Sequence, residues 1–334
     1  MKKLFAKHET IVALILVSLS LIIGLINPTF FTLGNLFDLL KSSVVMGIFG
    51  LGALIVIVSG GIDISFTAIA AFSMYVTGQI LVGKLIFSGP YRGTILVGFL
   101  IASMIGLLLG LINATLISYF RLPTLIVTLG TGSAFRGFML AFIGTRIITI
   151  LPDGWVRFSR MALISTTAED GSPVRLSVAI IMLIATSFLV WLLLKYTLLG
   201  RGIYALGGDR VAAERAGFNI PRIQFFIYGL VGFLSGIAGV IHASLIRTAN
   251  PFDLVGSELT VIAAVVLGGT SITGGRGSVL GTLLGVFLIV VMNNSLILMG
   301  VSSYWQKVVI GLIIIFSTGS TAYRAKKKRE SRGK

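Results

Sequence analysis

Long apolar stretches alternate with short polar or glycine-rich segments along the whole chain. A helix that crosses a bilayer needs about 20 mostly apolar residues, and roughly ten stretches meet this requirement. The pattern therefore predicts an all-α, polytopic integral membrane protein with about ten transmembrane helices, in one domain covering residues 1–334. The predicted spans lie at residues 11–26, 36–58, 64–83, 94–117, 124–143, 176–195, 223–246, 257–269, 278–299 and 303–320.

Composition excludes a soluble fold. Of the 334 residues, 56% are hydrophobic and only 11% are charged. Soluble domains carry about 25% charged residues. A soluble protein of this size could not cover its surface with so few charges, so membrane lipid is the expected surrounding.

The net charge of +16 would indicate a nucleic-acid partner in a soluble protein. In a membrane protein it usually reflects lysine and arginine retained in cytoplasmic segments. If the N-terminus is cytoplasmic and an even number of spans alternates across the membrane, most of the 27 basic residues fall on the cytoplasmic side. We therefore expect both termini to be cytoplasmic, and we expect no nucleic-acid partner. Residues 144–175 then form the longest extracytoplasmic loop, 196–222 the longest cytoplasmic loop, and 321–334 a basic cytoplasmic tail.

Residues that commonly hold metals or nucleotides are scarce. The chain has no cysteine, and its two histidines, His8 and His242, are far apart in sequence. A phosphate-binding loop needs G-x-x-x-x-G-K-[ST], and no such string occurs. We therefore expect no metal, no cofactor, no ATP site and no catalytic residues in this chain.

One glycine-rich string, residues 59–65, interrupts two apolar stretches. The adjacent Gly60 and Gly61 permit a helix break in or near the bilayer, and Asp63 and Ser65 are suited to cap the helix that follows. An ionisable residue at such a place is a functional candidate. Asp63 either only caps the helix or also contacts a passing solute, and both interpretations stay open.

Other polar residues fall inside predicted spans, where they either join helices by hydrogen bonds or line a hydrophilic passage. Among them are Arg136 and His242. The candidate pathway residues are Ser59, Gly60, Gly61, Asp63, Ser65, Asn113, Asn293 and Asn294.

The segment Val58–Ser65 is echoed by Val266–Thr273, since each follows one apolar stretch and precedes another. Chance similarity between glycine-rich turns is one explanation. The other is an internal repeat, because paired, interrupted spans are the best pointer in a sequence to a transport site. The glycines of 268–278 are expected to form a tight, closely packed turn at the inner membrane face.

The cytoplasmic loop contains a predicted short helix over 210–216. Asp209 is a suitable N-cap, Gly217 can end the helix and Pro221 prevents it from continuing. The residues alone are compatible with a plain surface helix or with a docking helix for an ATPase.

Four strings, in order along nearly the whole chain, resemble the permease subunits of ribose-type ABC importers. They are Ser59-Gly-Gly-Ile-Asp-Ile-Ser65, Gly200-Arg-Gly-Ile-Tyr-Ala-Leu-Gly-Gly-Asp209, Ile262-Ala-Ala-Val-Val-Leu-Gly-Gly-Thr-Ser271 after Glu258, and Gly274-Gly-Arg-Gly-Ser-Val-Leu-Gly-Thr-Leu-Leu-Gly285.

The resemblance implies a type II ABC importer-like permease in the bacterial cytoplasmic (inner) membrane, which translocates a monosaccharide or related polar solute by alternating access. It also implies three protein partners: a cytoplasmic ABC ATPase, an extracytoplasmic sugar-binding protein and a second permease, identical or paralogous. The residues that match the family's ATPase-coupling region are Gly207, Gly208, Asp209, Ala212, Ala213, Glu214 and Gly217.

Three positions depart from the family's usual pattern and leave the solute open: 66–68, 258–260 and 293–294. A nucleoside or branched-chain amino acid importer is therefore an alternative. An ion-coupled secondary transporter is a further alternative, for which Asp63 would be the main ion-carrying candidate.

Overall fold

The computed structural model describes residues 8–83, 94–168 and 171–300, together with positions 305, 308, 311 and 312. Its elements, in chain order, are α1 (His8–Ile26), a 3-10 turn (Pro28–Phe31), α2 (Leu33–Val58), α3 (Phe66–Leu81), α4 (Ile95–Ser118), α5 (Thr124–Phe138) with a π turn (Met139–Ile143), α6 (Asp153–Arg160), β1 (Ala162–Thr167), β2 (Pro173–Ser177), α7 (Ala179–Tyr196), α8 (Leu198–Gly208), α9 (Arg210–Arg215), α10 (Ile220–Ile246), α11 (Glu258–Leu267) and α12 (Val279–Leu298).

Seven helices in the described part of the chain are long and apolar enough to cross a membrane: α1, α2, α4, α5 with its π turn, α7, α10 and α12. Helices α3 and α11 have only 16 and 10 residues. At 1.5 Å per residue these reach about 24 and 15 Å, less than the roughly 30 Å of a bilayer core. The prediction of full spans at 64–83 and 257–269 is therefore wrong in length, because each helix begins or ends inside the layer.

Helix α2 forms the centre of the bundle. In its most apolar window 78% of the residues are buried inside the protein, compared with 11% for α1, which lies at the edge. The long apolar pattern of α2 thus reflects a buried helix, whereas that of α1 provides a lipid-facing surface. The predicted tenth span, 303–320, falls largely outside the described residues, as does the basic tail 321–334.

Helices α4 and α10 pack at very short distance through facing glycines. A Cβ on Gly106 would lie 2.1 Å from the Gly232 carbonyl oxygen, and a Cβ on Gly232 would lie 2.1 Å from the Gly106 oxygen. Small residues let helix backbones approach closely in a membrane, where association depends on packing rather than on the hydrophobic effect. This contact holds α10 in the position from which it supports α3.

The segment 144–175, predicted as the longest extracytoplasmic loop, is not a plain loop. It contains α6 and an antiparallel hairpin in which β1 pairs with β2, Ser165 lying opposite Arg175. Threonines and branched aliphatic residues in β1 favour the extended chain. The all-α prediction holds for the membrane layer and missed this hairpin.

The segment 196–222, predicted as the longest cytoplasmic loop, is almost entirely helical. Helix α8 was not predicted, and Pro221 lies in the first turn of α10 rather than in a loop. Proline is favoured there because its missing N–H needs no partner in the first helical turn. The predicted loop is therefore a helical layer beneath the bundle.

Candidate translocation and coupling site

Helix α2 ends in a sharp glycine cap at the string that the sequence singled out. Gly60 has φ +84. Its N–H bonds the Ile57 oxygen at 2.9 Å, and the Gly61 N–H bonds the Val56 oxygen at 3.1 Å. Only glycine adopts this left-handed conformation without strain, and the cap satisfies the last carbonyls of α2. The chain then runs without regular secondary structure to the start of α3.

Helix α11 ends in the same way. Gly269 has φ +96 and bonds the Val266 oxygen at 2.9 Å, while the Thr270 N–H bonds the Val265 oxygen at 3.3 Å. Gly269 is thus the structural counterpart of Gly60. The internal echo corresponds to two matching helix caps, but they are one residue out of register from the alignment that the sequence suggests.

Asp63 holds the start of α3. Its Oδ1 accepts the Ser65 N–H at 2.7 Å and the Ser65 hydroxyl at 2.6 Å, and the Asn113 amide donates to the same hydroxyl at 2.8 Å. Asp63 is 3% exposed, and Ser65 and Asn113 are completely buried. The structure therefore brings three predicted pathway residues together as a sealed cap. Ser65, which was expected to cap α3 as well, makes no side-chain capping bond.

This cap lies near the middle of the length of α5. A Cβ on Gly132 of α5 would lie 3.4 Å from the Ser65 Cα. Gly132 is eight residues, about 12 Å, into α5, which with its π turn is about 30 Å long. Helix α3 therefore begins close to the middle of a helix that is long enough to cross a bilayer.

Helix α11 begins beside it. The Thr67 hydroxyl, in the first turn of α3, donates to the Glu258 carboxylate in the first turn of α11. Glu258 also accepts the Gly256 N–H at 2.9 Å and is only partly buried. A carboxylate is favourable at a helix N-terminus because the helix dipole is positive there.

Glu258 lies far along α3 from Ala249. A Cβ on Gly78, near the C-terminal end of α3, would lie 3.8 Å from the Ala249 Cβ. Thr67, which bonds Glu258, is eleven residues earlier on α3, or about 16 Å away. Glu258 was not among the predicted pathway residues. An acidic residue directly before a short apolar run was the signal that could have found it.

Asn293 and Asn294 are not part of this cluster. Both lie in α12 and are partly buried, and their side-chain oxygens have no hydrogen-bond partner among the described residues. No hydrogen bond within the described part of the chain joins them to Asp63.

The cytoplasmic helix α9 forms as predicted. The Asp209 Oδ1 accepts the Ala212 N–H at 3.0 Å, and Gly217, at φ +85, ends the helix. Ala213 faces the core at 2% exposure, whereas Ala212, Glu214 and Gly217 are exposed. The apolar side chain of Val211 is 56% exposed on the same short helix. Helix α9 therefore exposes both apolar and charged side chains.

Three glycine segments, Gly60, Gly207 and Gly274–Gly275, meet in backbone contact, here called the glycine junction. A Cβ on Gly207 would lie 1.8 Å from the Val58 oxygen, and one on Gly274 would lie 2.9 Å from the Cα atoms of both Gly60 and Gly207. The Gly275 N–H bonds the same Val58 oxygen at 2.8 Å. The end of α8 thus touches the break after α2 without any side chain between them.

Tyr204 adds a second link between α8 and the loop after α11. Its hydroxyl donates to the Gly277 oxygen at 2.8 Å. Burial raises the pKa of the Tyr204 phenol above its ordinary value. The phenol therefore stays protonated and remains a donor at neutral pH. A displacement of α8 would also move the break that carries Asp63, because the packed backbone segments leave no free space between them.

Comparisons with known proteins agree with this architecture. The chain matches a family model described as "Branched-chain amino acid transport system / permease component" over residues 35–318. It is 34% identical to the ribose import permease protein of Haemophilus influenzae over 96% of this chain and 95% of that protein. It is 37% identical to the ribose import permease protein of Bacillus subtilis, over 90% and 88% of the two chains. The D-allose transport system permease protein of Escherichia coli is 30% identical, over 88% and 85%. No solved structure gives a significant match.

Proposed function

Because the chain belongs to this family of transport-system permease components, we propose that it is the permease subunit of an ABC importer for a monosaccharide. A cytoplasmic ATPase, an extracytoplasmic sugar-binding protein and a second permease complete the assembly. Both termini are cytoplasmic, in a bacterial inner membrane. The relatives named for ribose and D-allose support the solute class.

The observation that carries the proposal is the glycine junction. The end of α8 contacts the break that holds Asp63 through backbone atoms. The exposed α9, a docking surface for the ATPase, follows α8 directly. Nucleotide binding by the ATPase biases the permease only if its two states differ in their fit to that ATPase. A rigid link from α9 to the midplane provides such a difference.

Two half-helices meeting at the midplane support a transport role as well. Transporters place their solute sites where discontinuous helices begin, because the free N–H groups and dipoles of those helices face the solute there. Here α3 and α11 begin side by side, joined by Thr67 and Glu258. Solute delivered from outside passes this point when the two permeases change state.

The arrangement of Asp63 speaks against the ion-coupled alternative. An ion-carrying carboxylate must meet water or solute during the cycle. Asp63 is 3% exposed, and one of its oxygens already accepts two hydrogen bonds from Ser65. Its role is to cap α3, while Glu258 is the more accessible acid.

The test is reconstitution. The tagged chain is purified gently from its native membrane, and the complex is placed in proteoliposomes with the sugar-binding protein. D-ribose and L-leucine uptake are compared, with ATP and with an ion gradient alone. We expect an ATPase to co-purify and ATP-dependent uptake of D-ribose.

A variant with residues 209–217 scrambled tests the coupling role. It should stay folded and lose the ATPase. Uptake driven by an ion gradient without ATP would refute the ABC assignment, and ATP-driven uptake of L-leucine alone would refute the solute class.

A further inference from the structure

A cavity of about 320 Å³ opens beneath the break after α2. This volume lies at the lower end of the range of about 300–1,000 Å³ that small-molecule pockets occupy. Its lining comes from the break itself, the ends of α8 and α9, the first turns of α5 and α10, and the loop after α11. The residues are Ser59, Gly60, Gly61, Thr124, Leu206, Gly207, Gly208, Asp209, Arg210, Gln224, Tyr228 and Thr273.

The lining combines polar and apolar surface and includes one acid and one base. Its uncharged polar groups are hydroxyls, one amide and backbone, while Asp209 and Arg210, both exposed, are the two charged members. Each already has a role: Asp209 caps α9, and Arg210 pairs with Glu214 at 3.1 Å. Gln224 is 8% exposed, and its side-chain oxygen has no hydrogen-bond partner among the described residues.

This chemistry selects a class of ligand. A zwitterionic amino acid or a phosphate needs opposite charges that are free to pair with it, because burying an unpaired charge is costly. Here Asp209 already binds the Ala212 N–H and Arg210 already pairs with Glu214. A neutral polyol carries hydroxyls that both donate and accept, so it can satisfy amide, hydroxyl and backbone groups without any charge. An amide oxygen without a partner, such as that of Gln224, is suited to accept from such a hydroxyl.

We propose that this cavity is a cytoplasmic exit site, formed within a single permease chain, that holds the neutral polyhydroxylated solute after it has passed the midplane. The proposal rests on the proposed function for the direction of transport. Because the wall from Leu206 to Arg210 belongs to the coupling helices, movement of α8 and α9 changes the shape of the site and releases the solute.

The absence of cysteine from the natural sequence allows a direct test. Thr273→Cys places a thiol on the cavity wall. Ile272→Cys places one on the neighbouring residue, which is 39% exposed and does not line the cavity. Both are labelled with a membrane-impermeant maleimide in inverted vesicles. D-ribose or L-leucine is titrated onto vesicles that carry the full transporter, and ATPase alone is titrated onto vesicles that carry the permease stripped of its ATPase.

We expect millimolar D-ribose to slow labelling several-fold at Thr273→Cys and to leave Ile272→Cys unchanged. Adding Gln224→Met should remove this protection while the variant stays folded. Methionine matches glutamine in length, and replacing a polar group that has no partner costs little. If the methionine variant fails to fold, Ser59→Ala replaces it, because within the described part of the chain the Ser59 hydroxyl bonds only the Val56 oxygen of its own helix, and the same loss of protection is expected.

Three outcomes would overturn the proposal. Import of D-ribose without protection at Thr273→Cys would leave the proposed function standing and remove the exit site. Protection by L-leucine instead of D-ribose would contradict the polyol class. Protection by added ATPase in the absence of solute would identify the cavity as part of the ATPase contact.

Discussion

Replacement of Gly207 by alanine tests the glycine junction. The new Cβ would lie 1.8 Å from the Val58 oxygen and 2.7 Å from the Gly275 nitrogen, and both are backbone atoms that cannot rotate away. Alanine gains about 1 kcal/mol of helix propensity over glycine. Overpacking of a tight site costs about 1–3 kcal/mol, and a buried N–H or C=O left unpaired costs about 1–3 kcal/mol more. The net expectation is a loss of about 1–5 kcal/mol in the free energy of unfolding.

The assay is thermal unfolding of the purified chain in detergent, followed by tryptophan fluorescence. Gly208→Ala is the matched control, because a Cβ at the next residue meets nothing within 4 Å. We expect Gly207→Ala to unfold several degrees below the control. Where Gly207→Ala still folds, ATP hydrolysis by the complex should no longer respond to the loaded binding protein. Equal midpoints and equal ATPase stimulation in the two variants would refute the reasoning.

Three further predictions follow from individual contacts. Asp63→Ala should abolish D-ribose uptake and lower stability by about 2–3 kcal/mol, whereas Asp63→Asn, which keeps an acceptor oxygen, should retain much of both; equal losses would show that the charge itself is needed. Gly232→Ala should prevent accumulation of folded protein in the membrane, because its Cβ would lie 2.1 Å from a carbonyl oxygen. Size-exclusion chromatography with fluorescence detection measures this, and Gly137→Ala, whose Cβ would meet nothing within 4 Å, should match the parent. Asp209→Ala should weaken ATPase recovery in pull-downs by removing a cap of about 1 kcal/mol, and Asp209→Asn should preserve it; equal recovery would argue against a role for the α9 N-terminus.

The locations of most spans could be predicted because they depend on local hydropathy. A stretch of about 20 apolar residues must become a helix in lipid, since any other backbone conformation leaves its polar groups unpaired. The bounds of α1, α2, α4, α10 and α12 agree with the predicted spans to within about four residues. The cap at Asp209 was also predictable, because its donor lies three residues away.

The lengths of α3 and α11 were not predictable in the same way. Hydropathy does not distinguish a short apolar helix from a full span when the flanking glycines and serines are tolerated at either place. Where α3 starts is decided by contacts with distant residues, such as Asn113 and Gly132. The hairpin β1–β2 was missed for a related reason, since two short strands have no strong pattern until they pair.

The sequence by itself determined that this is a helical membrane protein, where its long apolar helices lie, and that Asp209 caps α9, because each of these depends on neighbours within one or two helical turns. Only the tertiary structure decided which capped ends meet. Thr67 donates a hydrogen bond to Glu258, and the Val58 oxygen accepts the Gly275 N–H and lies against Gly207. These partners are far apart in sequence, so no local pattern indicates them. The physical reason is that packing of α2 against α8, α10, α11 and α12 sets these distances. Asp63, which is sealed, is therefore a weaker candidate for solute contact than Glu258 and the cavity beside Gln224.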